Sequence, residues 1–134
     1  MAKPLRVAVV SPEREVYAGT ARMVVAKGVA GDVGILPDHA PMLVELAIHA
    51  VRVIVEEGRE DVILVDGGFL NVTPSEDETR VDVLAEHAEL ASEIDATAAA
   101  ARAEELKRRL EDEEDASLRA ELARAMMRAE HGRG

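Results

Sequence analysis

Along the first two thirds of the chain, hydrophobic positions recur with a period of two. "LRVAVVS" (Leu5 to Ser11) puts Leu5, Val7 and Val9 on one face, and "ARMVVAK" follows a turn-like Tyr17-Ala18-Gly19. These two read as sheet segments lying edge to edge. "HAVRVIVEEGREDVILVDGG" reads as a hairpin in which Val51, Val53 and Val55 alternate inward, Glu57-Gly58-Arg59-Glu60 turns the chain, and Val62 to Val65 returns before Gly67-Gly68. "FLNV" and "TRVDVLA" then flank a polar turn from Thr73 to Glu78. Short strands with frequent turn residues and no helix between them predict an antiparallel β-sandwich, with its two aliphatic faces about 10 Å apart.

Past Glu86 the pattern lengthens to that of helices. Ser92 and Asp95 have the spacing of a capping box, which predicts a helix from about Glu93 to Leu110 carrying Ile94, Ala98 and Ala101 as its apolar stripe. Glu104 with Arg108 and Glu105 with Arg109 stand four residues apart in the favourable order. The acidic run Glu111 to Asp115 interrupts the pattern and places negative charge at the start of a second helix, where the macrodipole favours it. That helix carries Leu118, Leu122, Ala125 and Ala129 on one side. Alanine-rich faces allow close approach, so the expected arrangement is a β-sandwich over residues 1–86 followed by an α-helical hairpin over 87–134.

Composition sharpens that division. All seventeen valines lie at or before Val83 and all five prolines at or before Pro74, whereas thirteen alanines and no valine fall between His87 and Gly134. Valine suits the pleated surface of a strand, and alanine loses no side-chain entropy in a helix. Tyr17 and Phe69 are the only aromatic residues, so aliphatic side chains must fill the core. A chain of 134 residues suits one domain with an appendage. The absence of cysteine excludes a disulfide framework and thiolate metal sites and fits a reducing compartment. No apolar run approaches the roughly 20 residues that span a bilayer, and the start "MAKPLRVAVVSPEREVY" lacks a signal peptide's cleavage region, so a soluble cytoplasmic chain is expected. A net charge of −11 opposes binding to nucleic acid or to an anionic membrane surface. Proteins are the expected large partners.

No residue pattern assembles an active site. His39, His49, His87 and His131 are scattered without the spacing or carboxylate company of a metal site, so none is expected. Asp38-His39 has no serine in a nucleophile elbow to serve, and a histidine bonded to loop backbone is the simpler reading. Gly28, Gly31 and Gly34 form a spaced series, yet no Lys-Ser or Lys-Thr follows and the segment opens no helix, which argues against a phosphate loop. No catalysis and no cofactor are expected. A free-standing interaction adaptor fits this composition; a small sandwich enzyme would need an apolar cleft lined by perturbed acidic or histidine side chains.

One stretch is more specific. In "GDVGILPDHAPML", Gly31 and Gly34 permit backbone conformations closed to other residues, while Pro37 and Pro41 remove donors and fix φ. Asp38-His39-Ala40 is thus expected as a rigid projection suited to a fixed interface. With "VDGGFLNV" and "VLAEHAE", this stretch resembles the ε subunit of bacterial F-type proton-translocating ATP synthases, and the likeness covers essentially the whole chain. The resemblance implies about ten strands in the sandwich, then a helix-turn-helix, within the rotor's central stalk. It also implies a non-catalytic role: coupling proton flow through the membrane ring to ATP synthesis, at the cytoplasmic side of the cell membrane and only through the complex.

The resemblance also assigns residues. Asp32 would face polar loops of the c-ring in an electrostatic, partly wet contact. Ile35, Asp38, His39, Pro41 and Met42 would complete the rotor interface, with His39, Pro41 and Met42 nearest the γ subunit. The hairpin resembles a regulatory element that either folds on the sandwich or extends along γ into the α/β catalytic head, where it hinders hydrolysis. Arg119, Leu122, Arg124 and Arg128 would belong to this regulatory hairpin, the arginines as one basic face that pairs with acidic surfaces of the head. In several relatives ATP favours the folded state through a motif of Ile-Asp continued two residues later by Arg-Ala. Here Ile94-Asp95 is followed by Ala96-Thr97-Ala98-Ala99, so Ala98 replaces the arginine, and Arg102 or, on the second helix, Arg124 and Arg128 could substitute only in part. Weak or absent ATP binding is the expectation.

Overall fold

In the computed structural model, which describes residues 3–133, the chain forms two units, one up to Leu90 and one from Ala91 onward. The first unit is built from β1 (Leu5–Val10), β2 (Glu15–Ala21), β3 (Met23–Gly28), β4 (Gly31–Ile35) and β5 (Met42–Glu45). It continues with β6 (Ile48–Glu56), β7 (Arg59–Asp66), β8 (Phe69–Pro74), β9 (Thr79–Leu84) and β10 (Ala88–Leu90). The strands make two five-stranded sheets, ordered β2-β1-β9-β8-β5 and β10-β7-β6-β3-β4. Period-two alternation explains the layering. Leu5, Val7 and Val9 of β1, Leu70 and Val72 of β8, and Val81 and Val83 of β9 point inward from the first sheet; Val24, Val51, Val53, Ile63 and Val65 meet them from the second. The core is aliphatic as composition requires, with Phe69 exposed and Tyr17 half-buried at its margin.

Six details depart from the alternation-based reading. Tyr17, Ala18 and Gly19 are not a turn but the middle of β2, opposite Val9, Ala8 and Val7 of β1. Strands β1 and β3 do not lie edge to edge; they belong to different sheets. β1 and β9 pair in parallel, which joins the chain's beginning to the sandwich's end and is invisible to local pattern. Val55 is only half-buried, packed against the margin of the core where the register slips between Ile54 and Glu56. The turns are also tighter than read: Arg59 and Glu60 already pair in β7, and Thr73 and Pro74 belong to β8. β10 pairs Ala88, Glu89 and Leu90 with β7, so the sheet runs past Glu86.

The second unit is a helical hairpin: a 3-10 turn (Ala91–Glu93), α1 (Ala96–Asp112) and α2 (Ala116–His131). Ser92 caps nothing here; Asp95 is the N-cap of α1, its carboxylate accepting from the Ala98 amide at 3.0 Å. Asp115 does the same for α2, accepting from Ser117 at 2.8 Å. Shifting the helix start re-registers its faces. Ala98 and Ala101 are exposed, and the buried stripe of α1 is Ala99, Ala103 and Leu106. Ala103, Leu106, Leu118 and Ala125 form the hairpin's own cluster, with Leu110 and Leu122 half-buried against it and Ala129 half-buried beyond it. Glu104 pairs with Lys107 and Glu105 with Arg102, three residues away rather than with the arginines four residues on.

Candidate functional site

The stretch from Gly31 to Leu43 is not one projection. Its first part is β4, paired with β3 from Gly31↔Gly28 to Ile35↔Val24, and only Leu36–Pro41 is loop. Asp32 therefore lies at one end of β4, exposed and opposite Lys27, while Asp38, His39 and Pro41 lie beyond the other end. Ile35, between them, has no exposed surface and serves the core instead of an interface. Gly31 takes φ +139°, open to glycine alone, but Gly34 is ordinary extended strand, so only one of the two glycines is used for its freedom. Met42 opens β5 opposite Val72 and is half-buried on the core.

The loop itself is rigid, by means not visible in its own sequence. The His39 amide donates to the Leu36 carbonyl at 3.1 Å, closing a turn with Pro37 second and Asp38 third. Asp38 has φ +69°, the left-handed value that the third position of a type II turn requires and that a side-chain-bearing residue takes only when held. It is held twice. Its amide donates to Oγ1 of fully buried Thr79 at 2.7 Å, and its carboxylate meets Lys3 Nζ at 2.8 Å. The His39 ring sits with Nδ1 2.8 Å from the Ala40 carbonyl, as expected of a loop histidine.

Exposed apolar surface gathers at the opposite end, the Asp32 end. Register rows on the outer face of the first sheet align Val10 with Leu84 and Leu84 with Phe69, ending at Glu45; Leu43 stands one row in, beside Asn71. Leu84 is 59% and Phe69 48% exposed, with Leu43 at 68%. Val29, 63% exposed, follows β3 at this same end, its amide donating to the Glu45 carbonyl at 2.9 Å. Two hollows indent the region. One of about 390 Å³ is lined by Val10, Ser11, Pro12, Phe69, Leu84 and Ala85 among others; one of about 280 Å³ lies between Gly28–Val33 and Met42–Glu45, with Asp32 on its wall. Large apolar groups clustered and exposed together mark a contact surface more than scattered ones do.

On the hairpin the expected nucleotide residues are otherwise engaged. Ile94 is buried, Asp95 spends its carboxylate on the α1 cap, and Arg102 pairs with Glu105 at 3.0 Å and across to Glu121 of α2 at 3.1 Å. The basic face divides. Arg124 and Arg128 are one turn apart and half-buried, whereas Arg119 lies about 140° round the helix axis from Arg124 and pairs with Glu114. Among the described residues no group of three or more His, Asp or Glu side chains could hold a metal ion, and no helix is long and apolar enough to cross a membrane.

A family model described as ATP synthase, Delta/Epsilon chain, beta-sandwich domain matches residues 4–91, the sandwich with one residue beyond. An ATP synthase epsilon chain of Thermobifida fusca is 46% identical over 127 residues, covering 93% of this chain and 89% of that one. Another, from an Exiguobacterium species, is 41% identical over 122 residues, covering 89% and 87%. The chain belongs to the ATP synthase epsilon-chain family. A chain in the cryo-EM structure of Euglena gracilis mitochondrial ATP synthase shares the fold, with a TM-score of 0.75 at 21% identity over 96% of this chain and 80% of that one. For this epsilon-family chain, motif reading found the Leu36–Pro41 loop but missed Phe69, Leu84, Val10 and Thr79. The first three carry a signal: each occupies the outward parity of a strand whose inward parity is already apolar. Thr79 carries none, since its role depends on a partner 41 residues away.

Proposed function

We propose that this chain is a non-catalytic rotor subunit of the synthase's central stalk, at the cytoplasmic face of the membrane, linking the γ subunit to the c-ring and restraining hydrolysis through its hairpin. Family membership supports the assembly. The observation that carries the docking surface is the exposed row Val10–Leu84–Phe69 with Leu43 and Val29 beside it, at the sandwich end that also bears Asp32. Apolar side chains with hollows between them suit the tightly held γ contact, and the acidic rim at Asp32 suits a wet contact with the ring's polar loops. The Leu36–Pro41 loop, fixed by Thr79 and Lys3, is a second and smaller rotor contact on this reading.

For ATP, the occupied Asp95 and Arg102 support the expectation of weak or absent binding, since a phosphate would have to displace the α1 cap and an interhelical ion pair. The hairpin's choice between folded and extended positions then falls to its contacts with γ and the catalytic head.

Co-purification tests the assembly. The native chain should retain γ and the ring; Phe69→Asp with Leu84→Asp should lose γ, and Asp32→Lys should weaken the ring contact more at low salt than at high. A stable monomer that captures unrelated proteins instead would favour the adaptor. Isothermal titration of the isolated chain with ATP should show no saturable heat at micromolar concentrations.

A further inference from the structure

The open end of the hairpin is fastened by backbone. The Arg133 amide donates to the Ile94 carbonyl at 2.8 Å, and the Ala96 amide donates to the Arg133 carbonyl at 2.7 Å, a parallel bridge centred on Asp95 and Arg133. The chain after α2 is thereby tied to the chain before α1. Gly132 makes the approach possible by space, not by conformation. Its φ of −72° and ψ of 178° are open to any residue, but a Cβ there would stand 2.6 Å from the Arg128 carbonyl oxygen, 3.0 Å from the Ile94 carbonyl oxygen and 2.9 Å from Ile94 Cγ2. Two of those three atoms are backbone and cannot swing aside.

The bridge occupies groups that the helix ends would otherwise offer to water. Ala96 is the first residue of α1, whose amide has no partner within the helix, and Gly132 is the C-cap of α2, its own amide spent on Arg128. One short connection therefore satisfies the first amide of α1 and anchors the residue that follows the C-cap of α2. At the other end, Glu113 and Glu114 already join them through the chain. With the clasp closed, the hairpin is a loop fastened at both ends, and its helices cannot separate along their length. With it open, the helices are held by side-chain contacts, among them the small cluster around Leu106 and the Arg102–Glu121 pair.

We propose that this clasp, Ile94–Ala96 with Gly132–Arg133, is a latch that holds the two helices together, and that its opening is the step admitting the separated, extended form. The proposal rests on the reading of the hairpin as an extending inhibitor of hydrolysis. It makes the strap, and not a bound nucleotide, the element that sets how readily that form is reached.

Two substitutions open the latch from opposite sides while leaving the helices intact. Ala96→Pro deletes the amide that donates to Arg133 at a position where proline fits a helix, and Asp95, at φ −82° and ψ 101°, already has the extended backbone that precedes a proline. Gly132→Ala inserts the Cβ that has no room. In the isolated native chain, hydrogen exchange should find the Arg133 amide protected; in each variant that protection should fall about tenfold or more, the scale of one net hydrogen bond, with helical content unchanged. In the reconstituted synthase the same variants should lower ATP hydrolysis severalfold below the native rate, and a chain ending after Leu90 should raise it. An Arg133 amide exchanging without protection in the native chain overturns the latch. So does a native hydrolysis rate in both variants when the shortened chain is faster. If the shortened chain also hydrolyses at the native rate, it is the inhibitory reading of the hairpin that fails, and the exchange data alone then judge the latch.

Discussion

Leu70 of the sandwich and Leu106 of the hairpin are alike in having no exposed surface, yet they sit in unlike surroundings. Leu70 belongs to a cluster of nineteen buried residues among those described, drawn from both sheets; Leu106 belongs to a cluster of four, of which Ala103 and Ala125 offer one methyl each. The hydrophobic effect scales with apolar area removed from water, so the two units differ in stability far more than in regularity of secondary structure. Helices of 16 and 17 residues are marginal in water without such packing. Dividing valine from alanine along one chain thus gives one unit with a large aliphatic cluster and one with a small cluster.

The sharpest way to break that contrast is to empty each cluster in turn. Leu70→Ala should cost about 2–5 kcal/mol and lower the sandwich's midpoint in denaturant, since the surrounding strands cannot collapse on the gap. Leu106→Ala removes the same atoms, but the hairpin has little else to lean on. Its expected outcome is loss of helical circular dichroism with the sandwich transition kept, followed by near-ultraviolet absorbance of Tyr17 and by exchange of the strand amides. A chain ending after Leu90, which keeps β10, should still unfold in one cooperative step. A single shared transition in Leu106→Ala would show that the two units do not melt separately.

The same contrast decided what could be read from sequence. Strands β1, β6, β8 and β9 were legible because apolar residues recur with a period of two, and β3 and β7 because short valine-rich runs lie between turn residues. β4 was hidden by Gly31 and Gly34, and β10 by its three-residue length. In α1 the run Ala98 to Ala101 presents equal apolarity on every side, so nothing local could choose Ala99 over Ala98 as the buried position. The cap decided it, and Asp95 fixed a register that the alanines could not. Thr79 and the parallel pairing of β1 with β9 were illegible because both join segments far apart in sequence.

A middle-sized effect probes how the two sheets are tied at their margin. The Tyr17 hydroxyl on β2 donates to Asp61 on β7 at 2.8 Å, and burial first, then this bond to a carboxylate, pushes its pKa up to about 12. The raised value favours the protonated phenol in the folded chain. Its contribution is therefore complete below the ordinary value of 10.0 and is lost as pH rises from there through about 12. Sandwich stability should fall across that window, and Tyr17→Phe should flatten the fall while costing about 1 kcal/mol at neutral pH, the scale of one hydrogen bond. As the only tyrosine, its phenolate absorbance reports the titration without interference. A phenolate appearing at the ordinary pH would remove the tie between the sheets from the account.

The smallest expected effect separates the units most cleanly. Arg52 and Glu60 face each other across β6 and β7 at 2.8 Å, and Arg102 and Glu121 face each other across the two helices at 3.1 Å; all four side chains are more than a third exposed. Exposed pairs of this kind are worth about 0.2–1 kcal/mol and weaken with salt. Glu60→Gln and Glu121→Gln should therefore cost similar small amounts, and Glu121→Gln should leave the sandwich's midpoint where it is. Their consequences differ because the same increment acts on unequal totals. In the sandwich it is a minor share of what the buried aliphatic cluster supplies, so the Val53 and Ile63 amides, even if faster by the same small factor, should remain among the slowest to exchange. In the hairpin it is set against a far smaller apolar cluster, so amides of α1 facing α2, Ala103 and Leu106 foremost, should exchange about two to five times faster at low salt, converging on the native rate at high salt. Native Ala103 and Leu106 amides as slow to exchange as those of Val53 and Ile63 would mean that the hairpin is held as firmly as the sandwich, and the contrast between the valine-rich and alanine-rich units would have to be given up.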